Sequence, residues 1–197
     1  MRCVLFCVFA LVSATAQQPD PDSQRLVESG QVLIEGQTAQ YVIRRLPVSS
    51  FPELPQGIAQ QLNQLQCMIP QSYQAHHPEN VMQASLERAG SSDWAVLCSV
   101  RGTVSLLAFF GSAPDKPAVL ATAPEKQRLQ RHDSSGVLGF DWAIAPASPD
   151  AVHEAQSGME RRPRPPDHDA LKDIAIDGKT QYRFYSKGAW SLVDMPR

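Results

Sequence analysis

The chain has 197 residues, with 18 Lys and Arg against 20 Asp and Glu and a formal net charge of −2. That balance leaves no long-range field to draw in nucleic acid or an anionic membrane surface. A hydrophobic content of 43% suffices for one globular core, and 16 prolines against 11 glycines point to stiff connections rather than a collagen-like chain.

Residues 1–16, MRCVLFCVFALVSATA, read as a secretory signal peptide. Arg2 supplies the positive start, Cys3 to Val12 an apolar stretch, and Ala14-Thr15-Ala16 a small-x-small cleavage site that leaves Gln17 as the mature terminus. The stretch is shorter than the ~20 residues of a spanning helix, and no later stretch is long and apolar enough to cross a membrane. Residues 17–197 then form a single secreted domain, in the periplasm or outside the cell. Export removes Cys3 and Cys7 and leaves Cys67 and Cys98 as the only pair in an oxidising compartment. Neither has a CxxC partner or a histidine at zinc spacing, so a structural disulfide is expected. Closing a loop of about thirty residues is worth roughly 3.5–4 kcal/mol.

Along the chain, Gln31 to Leu46 holds two β-prone runs around Gly36-Gln37, the pattern of a hairpin. Pro55 opens an amphipathic helix over Gln56 to Gln66, with Ile58, Leu62 and Leu65 on its buried face. Residues 67–80, CMIPQSYQAHHPEN, are expected to be irregular, with Pro70 and Pro78 blocking regular structure. Asp93 to Ser99 and Thr103 to Phe110 are nearly continuous apolar runs about Gly102, expected as a central hairpin covered on both faces. Trp94, Val96 and Cys98 share one of those faces. A strand is expected at Ala118 to Thr122, a short polar helix over residues 124–132, and a strand at Val137 to Ile144. Ser148-Pro149-Asp150 is a helix start. RRPRPP, Arg161 to Pro166, reads as a basic polyproline-like linker, solvated and balanced by the acids downstream. Paired strands close the chain around Gly178 and Gly188. The fold expected is α+β, mostly antiparallel sheet with two or three helices.

No nucleophile elbow is present, and His153-Glu154 lacks the second histidine of a zincin, since Ser157 stands at that place. His76-His77 reads as a solvated loop. The densest acidic stretch is Asp167-His168-Asp169 with Asp173 and Asp177 beyond it. Its oxygens suit calcium, but the glycine and the closing glutamate of an EF-hand loop are missing. Capping of a helix over Ala170 to Asp173, or pairing with Arg161, Arg162 or Arg164, is the simpler expectation. Asp167, His168 and Asp169 are therefore surface candidates only, and no catalytic, metal or cofactor residue is assigned. Tyr182, Phe184, Tyr185 and Trp190 alternate on the last strands and are expected mainly in the core.

Residues 81–97, VMQASLERAGSSDWAVL, resemble the FG-GAP or VCBS-type repeat through Val81, Leu86, Gly90, Asp93, Ala95 and Val96. Ala84, Ser85, Glu87, Arg88 and Ala89 depart from that pattern, so most of the chelating acids of the family are absent. FPELPQGIAQQLNQLQCMIPQ, SSDWAVLCS and the closing DHDALKD and KGAWSLVD resemble a group of uncharacterised bacterial exported proteins. That resemblance implies export and no particular activity. The expected function is a non-catalytic exported binding or structural module. The alternatives are a calcium-dependent adhesion-like unit and a small extracytoplasmic hydrolase with dispersed catalytic residues.

Overall fold

The structure, a computed structural model, describes residues 26–34, 36–131, 134–175, 178 and 180–196. The expected signal peptide and Gln17 lie outside these residues, as does Asp177. The larger sheet is organised by its longest hairpin, β1 (Val27–Ile34) with β2 (Gln37–Pro47), turning at Gly36 with φ of 79°. Along β2 the two-residue period sends Tyr41, Ile43 and Arg45 inward and leaves Gln40, Val42 and Arg44 facing out. Arg44 pairs with Val27 on one side and with Gln71 of β3 (Met68–Gln71) on the other. Tyr41 likewise pairs with Gly30 and with Leu138 of β9 (Leu138–Phe140), the latter in parallel. β1 thus covers one edge of β2, and β3 and β9 share the other.

From β3 the sheet continues to β5 (Asp93–Val100), β6 (Thr103–Phe110) and β7 (Ala113–Pro124). β4 (Val81–Ala84) also pairs with β5, and β8 (Leu129–Arg131) pairs with β9. The β5–β6 hairpin is the buried centre anticipated from its apolar runs: seven of the eight residues of β5 are buried. Its turn uses Arg101 and Gly102 at φ of 50° and 76°, two left-handed residues that match the twist of paired strands. A second sheet has the order β10 (Ala143–Ala147), β11 (Ala170–Ile174), β12 (Thr180–Ser186), β13 (Ala189–Leu192). The two sheets share one core, in which Ile144 and Leu171 pack with Ile43, Leu97, Leu106, Phe140 and Trp142. The molecule is mostly β, with half its residues in strands and two α-helices.

Helix α1 (Gln56–Gln64) buries Ile58 and Leu62 but not Leu65, which is 49% exposed. The helix ends early in a Schellman motif: Cys67 N–H reaches Leu62 O at 2.9 Å and Gln66 N–H reaches Asn63 O at 3.0 Å, with Gln66 at φ of 58°. That reversal turns Leu65 outward and carries Cys67 inward. Its sulfur bonds to Cys98 on β5, with 5.4 Å between the Cα atoms. Ile58, Leu62, Cys67, Trp94, Val96 and Cys98 then form one apolar cluster, as the shared face of β5 predicts.

Other expectations are corrected. Pro70 lies within a strand; β3 meets β5 only at Met68–Ser99, so no ladder bond is asked of its missing N–H, and its carbonyl accepts from Asn80 Nδ2 at 2.7 Å. β7 runs the full stretch from Ala113 to Pro124. The polar helix is only a 3-10 turn, Glu125–Arg128, and the expected strand over Val137 to Ile144 breaks at Asp141-Trp142 to serve both sheets. Ala170 to Asp173 is strand rather than a capped helix. Helix α2 (Pro149–Ala155) begins as read, with Ser148 Oγ accepting from Ala151 N–H at 3.2 Å.

Inside the larger sheet lies an ion network that joins residues distant in sequence. Arg45 and Glu125, 1% and 2% exposed, are linked by Nε to Oε1 at 2.8 Å and Nη2 to Oε2 at 2.5 Å. Arg45 Nη2 also donates to Glu28 Oε2 at 2.6 Å, and Tyr41 OH donates to Glu28 Oε1 at 2.6 Å. Burial pulls the Arg45 pKa down, but the two carboxylates outweigh it and hold the guanidinium above its usual range. Burial likewise pushes Glu28 up, yet Arg45, Tyr41 and Lys126 together leave it below the ordinary glutamate value. Burial and the bond to Glu28 raise the Tyr41 phenol.

Candidate functional site

The three surface candidates of the acidic stretch do not act together. Asp167 is exposed and its Oδ1 meets His168 Nδ1 at 2.7 Å. His168 is buried, stacks on Phe184 with ring centres 4.3 Å apart, and meets the Tyr185 carbonyl through Nε2 at 2.9 Å. A carbonyl only accepts, so Nε2 carries a proton and donates it there. Both ring nitrogens are engaged, and neither faces a nucleophile. Asp169 turns the other way, accepting from Ser85 N–H at 3.0 Å while its own N–H donates to Ser85 O, which ties β11 to the loop after β4. Asp173 accepts from Trp142 Nε1 at 2.7 Å and from Arg183 Nε at 2.9 Å. These contacts are architecture: they hold the second sheet on the first. Among the described residues no three of His, Cys, Asp and Glu converge as a metal site would need.

Asp93, the acid inside the 81–97 stretch, is buried and spends its oxygens on Glu87 N–H at 2.7 Å, Gly111 N–H at 2.8 Å and the Ser91 hydroxyl. It pins the loop between β4 and β5. His76 and His77 line a shallow surface depression with Arg44, whose Nη2 already donates to the carbonyls of Ser72 and Ala75 at 3.0 and 3.1 Å. Tyr182 is in the core, as read, whereas Tyr185 and Trp190 are half-buried and pack on Phe110 across the two sheets.

A different place has the features of a binding site. Among the described residues four buried side-chain atoms lack a hydrogen-bond partner: Glu87 Oε2, His153 Nδ1, Gln156 Oε1 and Trp190 Nε1. One of these residues, Gln156 at the end of α2, lines a cavity of about 230 Å³. Its walls are Val152 and Gln156 from the helix, Phe184 and Ser191 from β12 and β13, Val193 and Asp194 beyond, and the linker at Pro163, Arg164 and Pro166. The linker is not a free tether. Arg162 folds it back by donating from Nε to His153 O at 2.7 Å, with Glu154 3.4 Å from Nη2, so its arginine pairs upstream rather than with the downstream acids. On the opposite wall Gln156 Nε2 donates to Asp194 O at 2.8 Å. This bond identifies the nitrogen and leaves Oε1 as an unsatisfied acceptor on a residue only 2% exposed. Phe184 is braced from behind by His168.

No protein family, curated protein or solved structure matches this chain. The cavity must be read from its own chemistry. Arg164 places a cation on one wall and Asp194 an anion on another, and neither side chain has a partner among the described residues. No nucleophile is paired with a base there. Of the wall residues, only those of RRPRPP and Phe184 stood out in the sequence. Gln156 and Asp194 carried no signal, because a glutamine after a helix and an aspartate near the end of the chain are ordinary solvent-facing choices.

Proposed function

We propose that the protein is a non-catalytic exported binding module whose ligand sits in the cavity between α2, the Arg161 to Pro166 segment and the β12–β13 hairpin. One observation carries the reading: Gln156, whose buried amide oxygen has no partner among the described residues, lines an open cavity together with the exposed charges of Arg164 and Asp194. Buried acceptors in folded proteins are nearly always satisfied, and the exceptions call for a missing water, ion or ligand. Export rests on the signal-like residues 1–16. The Cys67–Cys98 disulfide supports it, and among the described residues no helix is long and apolar enough to cross a membrane. A module of this kind gains from a rigid frame, and the disulfide and the shared core of the two sheets supply one.

The test is thermal denaturation of the mature protein against a panel of amino acids, sugars, nucleosides and short-chain acids, with each compound recovered and analysed afterwards. A compound that raises the melting temperature by mass action and is recovered unchanged supports the reading. Conversion of a compound to product, or turnover in a parallel esterase, glycosidase and phosphatase screen, overturns it.

A further inference from the structure

We infer that the ligand of this cavity is a small zwitterion, a free α-amino acid with an apolar side chain; the inference rests on the reading of the cavity as the ligand seat. Size comes first. Pockets for drug-sized ligands run to about 300–1,000 Å³, and this one, at about 230 Å³, is below that range. It suits one amino acid rather than a sugar chain or a nucleotide.

Charge decides the class. An anion would meet Arg164 but lie in the same cavity as the like charge of Asp194, and a simple amine would reverse the problem. A neutral apolar molecule would use neither charge. A zwitterion uses both. Its carboxylate pairs with the Arg164 guanidinium, which offers a planar fork of donors. Its ammonium group, a donor with three hydrogens, pairs with Asp194. The Gln156 amide and the Asp194 backbone are joined by the 2.8 Å bond, so these two acceptors belong to one wall. Val152, Val193, Phe184, Pro163 and Pro166 supply an apolar lining for the ligand's side chain. Phe184 gives that lining a flat face held in place by its stack on His168.

The experiment is isothermal titration of the full mature protein at neutral pH with L-leucine, L-leucinamide and 4-methylpentanoate, which share an apolar body and differ in charge. Leucine is expected to bind tightest. Removing either charge weakens binding by about fivefold or more, the scale of a partly exposed ion pair. Arg164→Ala should abolish the preference for leucine over leucinamide, and Asp194→Ala the preference for leucine over 4-methylpentanoate. Both residues are exposed, so both variants keep the fold. Equal binding of the three compounds, or preferences untouched by the variants, overturns the inference. A different compound from the thermal panel whose effect is lost in R164A or D194A overturns the zwitterion and leaves the cavity as the seat. Stabilising compounds indifferent to both variants overturn the two readings together.

Discussion

Removing the Glu125 carboxylate is the sharpest perturbation of the frame. Arg45 would keep the 2.6 Å bond from Nη2 to Glu28, while its Nε lost the 2.8 Å bond to Glu125. A guanidinium 1% exposed would then lose the carboxylate that binds two of its nitrogens. Truncating one member of a buried pair typically costs about 3–5 kcal/mol. Glu28 retains part of the compensation, so Glu125→Ala should lie near the lower end, at about 3 kcal/mol. With a urea slope of ~2 kcal/mol per molar, the unfolding midpoint should fall by about 1.5 M. A domain of ordinary stability holds only ~5–15 kcal/mol in all. The companion variant, Arg45→Met with Glu125→Leu, removes both charges and should recover most of the loss, because desolvation then falls on neither group. A midpoint shift below ~0.3 M for Glu125→Ala would refute the claim that the pair is buried and mutually compensating. A double variant worse than the single one would show that the charges stabilise in their own right.

Four further outcomes are expected. Acid should weaken the same network: Glu28 has a folded pKa below its ordinary 4.5, so its contribution is complete above that value and fades as pH falls through the lowered one, read as declining melting temperature. The Tyr41 phenol, raised above its ordinary 10.0, contributes below that pH and is lost as alkali passes the raised value, which tyrosinate absorbance would follow. Cys98→Ala should cost about 3.5–4 kcal/mol of loop closure across the separation of 31 residues, and thiol labelling of denatured wild-type protein should find both cysteines oxidised. Gln66→Gly should stabilise by about 1 kcal/mol, because φ of 58° penalises a side chain there; a lower melting temperature would contradict the Schellman ending of α1.

What the sequence revealed depended on whether the signal was local. The β5–β6 hairpin was legible because both its faces are apolar and Gly102 marks its turn. The start of α2 was legible because Ser148 and Pro149 each suit one position of a helix N-terminus. The disulfide followed from cysteine arithmetic. The end of α1 was misread because helical spacing at Leu65 continues past the point where Gln66 reverses the chain. Long-range pairings left no trace at all: Arg45 and Glu125 are 80 positions apart, and each looks like a surface residue in its own neighbourhood. The cavity was hidden for the same reason. Gln156 becomes an interior residue only because the segment after β13 crosses back to the end of α2, and Val193 N–H anchors that segment on Tyr182 O at 2.8 Å. The Asp167 to Asp169 stretch, adjacent in sequence, divides in the fold: Asp167 meets His168, while Asp169 accepts from Ser85 N–H.

The most direct test of the cavity as ligand seat is a two-dimensional NMR titration of isotope-labelled protein with L-leucine, following backbone amides and side-chain NH2 groups. The account predicts saturable shifts in the Gln156 side-chain amide and in the backbone amides of Val152, Phe184, Val193 and Asp194, with the β1–β2 hairpin unmoved. Shifts centred elsewhere, or none at Gln156 while the ligand binds, would contradict it.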